Sequence, residues 1–326
     1  MPRAGLRILQ ASFLVRSNRD ELLPSFPLKV EVPSLLTDFR SVDPTPCPAS
    51  PDGTIVIQDV PGRPTARLAG RRASFRGPFR LLARRASDAR YGFWGNQGFL
   101  YRFALRLLEE RHGLFGFHAA GLVDERGPVL YVVIGGAGSG KTVFLLSGLA
   151  RGLKLFSTET VHFGLSSSGK LRWIKGSLVD NVRLGTLVHD FPSFRPPNVP
   201  AVGTKDLWSQ KIALDLGAFA STADVLVNPA CVLLLPRVEE GRSGHLRRPV
   251  ADPRVAAKAF FDNISQKIGE SFVLYDRLPL PGQDTAALAA ARLRAAERLA
   301  RHPSVRLTAS VLAGPERCWG DLLDGI

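Results

Sequence analysis

Apolar positions along the chain change their period several times, and the changes divide it. Up to about residue 95 the runs are short and broken by Gly and Pro. Thr54–Ile57, Ala66–Leu68, Ala73–Phe75 and Phe79–Leu82 read as brief strands. Pro27 and Pro33 punctuate extended pieces, and Pro44, Pro46, Pro48 and Pro51 mark a loop. The weak apolar stretch in Met1–Val15, interrupted by Gln10 and Ser12, reads as a first strand rather than a signal peptide. Gln97–Arg111 then carries Phe99, Leu100, Phe103, Leu107 and Leu108 at helical spacing, with Gly113 as the stop. Leu114–Val123 is an extended apolar run. Val129–Ile134 is rich in β-branched residues and apolar throughout, as expected of a strand covered on both faces. A glycine-rich loop follows, then a helix over Lys141–Ala150 closed by Gly152, then a strand at Leu153–Phe156. Further strands are expected at Val161–Leu165, Leu171–Ile174, Lys211–Leu214, Cys231–Leu235 and Phe272–Leu274. Helices are expected at Pro253–Ile264 and at Asp284–Arg301, the latter capped by Asp284 or Thr285 and stopped before Pro303. The expected architecture is α/β: a mostly parallel or mixed central sheet flanked by helices in residues 97–326, and a smaller β-rich N-terminal domain in residues 1–96.

The loop is the most specific signal. Gly135-Gly136-Ala137-Gly138-Ser139-Gly140-Lys141-Thr142 fits the Walker A pattern G-x-x-x-x-G-K-[ST]. From average residue usage, its four fixed positions coincide by chance in about one chain in a hundred of this length. Here the pattern also sits between a buried-type strand and a helix, the context the chemistry needs. Successive backbone N–H groups must turn inward around a polyphosphate, and glycines permit both the dihedrals and the close approach. The helix that follows aims its positive end at the same charge. Lys141 is expected to reach the β/γ-phosphate oxygens and Thr142 to place its hydroxyl on Mg²⁺. The implied ligands are ATP and Mg²⁺.

The chain has 326 residues with a net charge of +14, so an acidic partner has to be considered. Nine arginines, at 63, 67, 71, 72, 76, 80, 84, 85 and 90, fall within one stretch against the single acid Asp88. A solvated surface is the plainer reading, because no base-stacking aromatic pattern accompanies them. Nucleic acid is admitted as a partner but not favoured. No apolar run reaches the roughly 20 residues that span a bilayer, so no membrane partner is expected. Cys47, Cys231 and Cys318 are far apart, with neither metal-ligand spacing nor a disulfide framework, which fits a reducing, cytoplasmic setting. A homo-oligomer is left open.

Phe117-His118-Ala119-Ala120-Gly121, a turn, a strand, the loop, its helix and then Arg151-Gly152-Leu153-Lys154-Leu155 together resemble the catalytic domain of the HPr kinase/phosphorylase family over about fifty residues. The resemblance implies a P-loop fold related to phosphoenolpyruvate carboxykinase and transfer of phosphate to a serine-type hydroxyl. By position, His118 matches the family's strand histidine, Lys141 its loop lysine and Thr142 its magnesium-binding hydroxyl. The family's acidic pair falls on Thr158 and Glu159, so the first acid is absent. Glu159 is left to act as general base or to hold Mg²⁺ through water. The motif by which the family recognises its carrier protein is not visible.

These residues define the expected site: Glu159, His118, Lys141 and Arg183 for catalysis, Gly135 to Thr142 for the nucleotide, and Thr142 with Glu159 for the metal. His118 is either a satisfied core histidine or a group that bonds phosphate or orients Glu159. Asp276 and Asp215, each ending an apolar run, are rival magnesium anchors. Arg183, and more weakly Arg237, are either phosphate-stabilising or in surface ion pairs. Arg292, Arg294, Arg298 and Arg301 are read as a solvated basic face on a core-packed helix, with a docking face for an acidic peptide as the alternative. The expected activity is ATP-dependent phosphotransfer to a hydroxyl on a protein, peptide or small molecule. A nucleotide-binding regulatory module and a nucleic-acid-dependent ATPase are the alternatives.

Overall fold

The computed structural model describes residues 1–24, 38–40, 42–136, 138–197, 207–238, 246–269, 271–280 and 282–312; Pro27, Pro33, Ala137 and Cys318 lie outside them. The class is α/β, with mixed sheets and several helices. The chain divides into two compact units, Met1–Phe115 with Ser265–Ala291, and Gly116–Ile264 with Arg292–Ile326.

The first unit is built on a six-stranded sheet. Its strands are β1 (Arg3–Ile8), β2 (Ala11–Ser17), β3 (Val42–Thr45), β4 (Gly53–Asp59), β5 (Thr65–Ala69) and β6 (Arg72–Gly77), in the order β3-β1-β2-β4-β6-β5. The N-terminal stretch is therefore two antiparallel strands, not one, with Leu9 in the left-handed region at the turn. Pro44 lies within β3, opposite Leu6. An edge strand is where a residue without an N–H can sit in a sheet. Alternation puts Phe13, Val15, Ile55, Ile57, Ala73 and Phe75 on the buried face. Phe79–Leu82, expected as a strand, lies in helix α1 (Phe79–Arg85). Its apolar residues are spaced for a short helix that buries Phe79 and exposes Arg84 and Arg85. Helix α2 (Phe99–His112) lies against the sheet, with the rings of Phe99 and Phe75 4.7 Å apart. Gly113 ends it in a left-handed cap whose N–H bonds the Glu109 carbonyl. A methyl group at Gly53 would stand 2.6 Å from Leu107, so β4 must be bare where α2 crosses it.

The second unit centres on a larger mixed sheet. It contains β7 (Leu114–Asp124), β8 (Val129–Ile134), β9 (Lys154–Ser157), β10 (Thr160–Leu165) and β11 (Leu171–Ile174), with helix α3 (Lys141–Ala150) after β8. Strands β12 (Val179–Arg183) and β13 (Lys211–Asp215) form a separate antiparallel ribbon. The remaining sheet members are β14 (Val225–Val227), β15 (Ala230–Val238), β16 (Leu246–Pro249) and, later in the chain, β19 (Val305–Leu312). The order is β14-β11-β10-β7-β8-β15-β19-β16, with β9 on β7. β8, β15 and β19 run parallel to one another, while β7 is antiparallel to β8 and β16 to β19. Every residue of β8 is buried, as its composition requires. Phe144, Leu145, Leu146 and Leu149 of α3 pack with Leu122, Tyr131 and Val133 of the sheet and with Val182 and Leu214 of the ribbon. That packing holds β12 beside the start of α3.

Helix α4 (Pro253–Gly269), hairpin β17 (Phe272–Leu274) and β18 (Leu278–Leu280), and helix α5 (Ala286–Ala300) complete the order. The Thr285 hydroxyl accepts from the Leu288 N–H and caps α5.

Candidate active site

Strand β8 delivers the chain to the loop at its carboxyl end, where an open sheet places its ligands. Gly138 and Gly140 both have positive φ, at 78° and 98°, which a side chain would resist. A methyl at Gly135 would meet the Ser139 hydroxyl oxygen at 2.5 Å, so that position too must be bare. Gly140 precedes α3 and makes no side-chain cap, and the positive end of the helix faces the loop. The Lys141 ammonium folds over the loop and donates to the carbonyls of Gly135 at 2.8 Å and Gly136 at 2.9 Å.

The Thr142 hydroxyl donates to Asp180 on β12 at 3.3 Å. Asp180 is buried. Burial pushes its carboxyl up to about 7, the negative charge of Glu159 adds to the rise, and the Thr142 hydrogen bond and the Lys141 cation oppose it. These effects require Lys141, Thr142, Glu159 and Asp180 to share one locality. Glu159 follows β9 and is partly exposed. Its carboxylate lies 3.4 Å from His118 Nε2, and its carbonyl accepts from the Ala119 N–H at 3.0 Å. His118 is buried on β7, and its own carbonyl accepts from Asn263. His118 is thus a buried histidine whose ring lies beside the Glu159 carboxylate.

Thr158 is buried, and both its hydroxyl and its N–H are engaged. Its hydroxyl donates to the Val179 carbonyl at 2.7 Å, and its N–H to the Ser177 carbonyl at 2.9 Å. These bonds bring the entry to β12 against the end of β9. Gly176 permits the approach, since a methyl there would lie 1.8 Å from the Thr160 carbonyl oxygen. A carboxylate from β12 thus enters the locality that Thr158 does not serve.

The remaining expected residues lie elsewhere. Arg183 is on the face of β12 opposite Asp180, is exposed, and donates to the Trp208 carbonyl. The structure does not bring it to the cluster. Asp215 accepts from the Gly217 N–H in a turn. Asp276, in the first unit, accepts from the Ser87 N–H and hydroxyl at 2.7 and 2.8 Å. Asp215 thus closes a local turn, and Asp276 ties down the distant Ser87 segment. Arg237 is exposed at the end of β15. Asp180 was missed because an acid in Val179-Asp180-Asn181-Val182 looks like turn chemistry. The available signal was the alternation that sets Asp180 on the same face as buried Val182.

Among the described residues no group of three or more His, Cys, Asp or Glu side chains could hold a metal by itself. Thr142, Asp180 and Glu159 are nevertheless a hard oxygen set. That suits Mg²⁺, which takes few protein ligands and fills the rest with water and phosphate. No protein-family model matches the chain, and no curated protein matches it.

Proposed function

We propose that the chain is a P-loop kinase, similar to the HPr kinase/phosphorylase family, that transfers the γ-phosphate of ATP to a hydroxyl on a protein, peptide or small molecule. One observation carries the reading: a Walker A lysine and threonine share a locality with two carboxylates, Asp180 and Glu159, drawn from separate segments. A binding loop alone needs no such carboxylates; phosphoryl transfer needs both charge neutralisation and a proton acceptor.

Each side chain has a role in this reading. The glycine loop and the α3 N-terminus hold the phosphates. Lys141 exchanges its two carbonyl partners for phosphate oxygens. Thr142 and Asp180 would hold Mg²⁺, with Glu159 near it, and the ion would neutralise phosphate charge. Glu159, oriented by His118, takes the acceptor's proton as the hydroxyl oxygen bonds to γ-phosphorus and the bond to the β,γ-bridging oxygen breaks, leaving ADP. Asp180 supplies the second acid that Thr158 does not. The ATP requirement suits the cytoplasm, as do Cys47 and Cys231, which are free thiols among the described residues. Among the described residues no helix is long and apolar enough to cross a membrane.

The test is incubation with γ-labelled ATP, Mg²⁺ and serine-containing peptides and metabolites. Label should pass to an acceptor, and Lys141→Ala and Glu159→Gln should abolish it. Tight ATP binding with label released only as phosphate would instead support a regulatory module.

A further inference from the structure

The outer face of the first unit's sheet gathers its arginines into one field. Register puts Arg3 opposite Arg16, Arg16 opposite Val56, Val56 opposite Ser74 and Ser74 opposite Arg67, so all five share a face. Arg72 and Arg76 flank Ser74 on the same side of β6. Arg3, Arg16, Arg67, Arg72 and Arg76 are exposed and have no carboxylate partner among the described residues. The one acid among the outward positions of these strands is Asp43, 3.9 Å from Arg7. Other arginines of the same stretch are neutralised locally: Arg80 by Asp59 and Arg90 by Asp88. Over β4, β5 and β6 the face hollows into a cavity of about 290 Å³ lined by Arg67, Arg72 and Arg76 and by neutral polar residues, with the apolar Val56, Ala66 and Phe75 at its walls.

We infer that this face binds the phosphate backbone of nucleic acid without sequence preference. Five unpartnered guanidinium groups beside hydroxyl and amide donors match phosphate oxygens. The row from Arg3 to Arg67 crosses four strand spacings, about 19 Å. A duplex carries a phosphate about every 3.4 Å along each strand, so the row meets several at once. A protein partner is disfavoured because the face offers no apolar anchor. Of its outward apolar residues, Leu14 and Val56 are buried and only the small Ala69 is exposed, whereas an interface core needs large apolar anchors. The lack of aromatic side chains among these outward positions removes base stacking and leaves backbone recognition.

The experiment measures binding of a labelled 20-base-pair mixed-sequence DNA duplex by fluorescence anisotropy across a salt series. The expected slope of log K against log salt is about −4 to −5 for five contacts. The triple variant Arg67→Gln, Arg72→Gln, Arg76→Gln should weaken binding at least about tenfold and flatten the slope by about 2 to 3. A charge-matched control, Arg90→Gln, Arg126→Gln, Arg254→Gln, removes arginines already paired with Asp88, Asp124 and Asp252 and should bind like the parent. If the triple variant fails to fold, each single substitution should flatten the slope by about one. The inference fails if the two triple variants lose binding equally, if the first binds like the parent, or if polyglutamate displaces the duplex at matched charge.

Discussion

Asp180→Asn tests whether the buried carboxyl is held out of its ordinary range by the site. In the folded chain the group titrates at about 7 against an ordinary 3.8. A raised acid pKa means the native state keeps a proton that the unfolded chain releases, so stability is full below about pH 4 and is lost as pH climbs towards 7. At about 1.4 kcal/mol per pH unit the whole loss is about 4 kcal/mol, of which about 2 falls between pH 5 and 7. Asparagine keeps an oxygen to accept from Thr142 but has no proton to lose. Urea unfolding of parent and variant in EDTA, from pH 5 to 8.5, should show the variant gaining on the parent by about 2 kcal/mol up to pH 7 and little beyond. A difference that is flat with pH would refute the reasoning. The same variant should bind Mg²⁺-ATP more weakly than the parent at pH 8, which isothermal titration would register.

Lys141→Ala removes a charge-assisted contact of about 1.5–3 kcal/mol and should weaken ATP about 10- to 100-fold, read by displacement of a fluorescent nucleotide. Thr158→Asp should not raise transfer, because the position faces the Ser177 and Val179 carbonyls; it should destabilise the chain by at least about 2 kcal/mol, measurable in urea. Gly176→Ala places a methyl 1.8 Å from a carbonyl oxygen and should lower the melting temperature and phosphotransfer together, while an unchanged melting temperature would contradict the close approach. Thr285→Ala should cost about 1 kcal/mol through the loss of a helix cap, with nucleotide affinity unaffected.

Elements with strong local codes could be read in the sequence. β8 is six apolar residues, and the glycine loop and α3 follow in an order that only a few backbones allow. α2, α4 and α5 declared themselves by period, and β11 by its apolar alternation. What escaped was set by distant partners. β19 contains Ala309 and Ser310, residues of weak strand character, yet it pairs with β15 along eight positions. α1 looked extended because Phe79 and Leu82 are too few to establish a helical period. At the site, the loop, Glu159 and His118 were legible as motif and spacing, but the ribbon that carries Asp180 is positioned by Thr158, Gly176 and the α3 core. None of these signals its role locally.

The first unit is assembled from two stretches that synthesis separates by about 150 residues. Tyr275 gives its hydroxyl oxygen to the Phe93 N–H and its ring edge to the Phe93 ring, while Arg102 donates to the Lys267 carbonyl and lies over Phe272. A nascent chain that has emerged only as far as α2 therefore has its six-stranded sheet but lacks these partners. It must hold Phe93 and Arg102 in waiting while the entire nucleotide loop is translated. A fragment cut after residue 115 should accordingly expose apolar surface and aggregate, and supplying residues 265–291 in trans should rescue it.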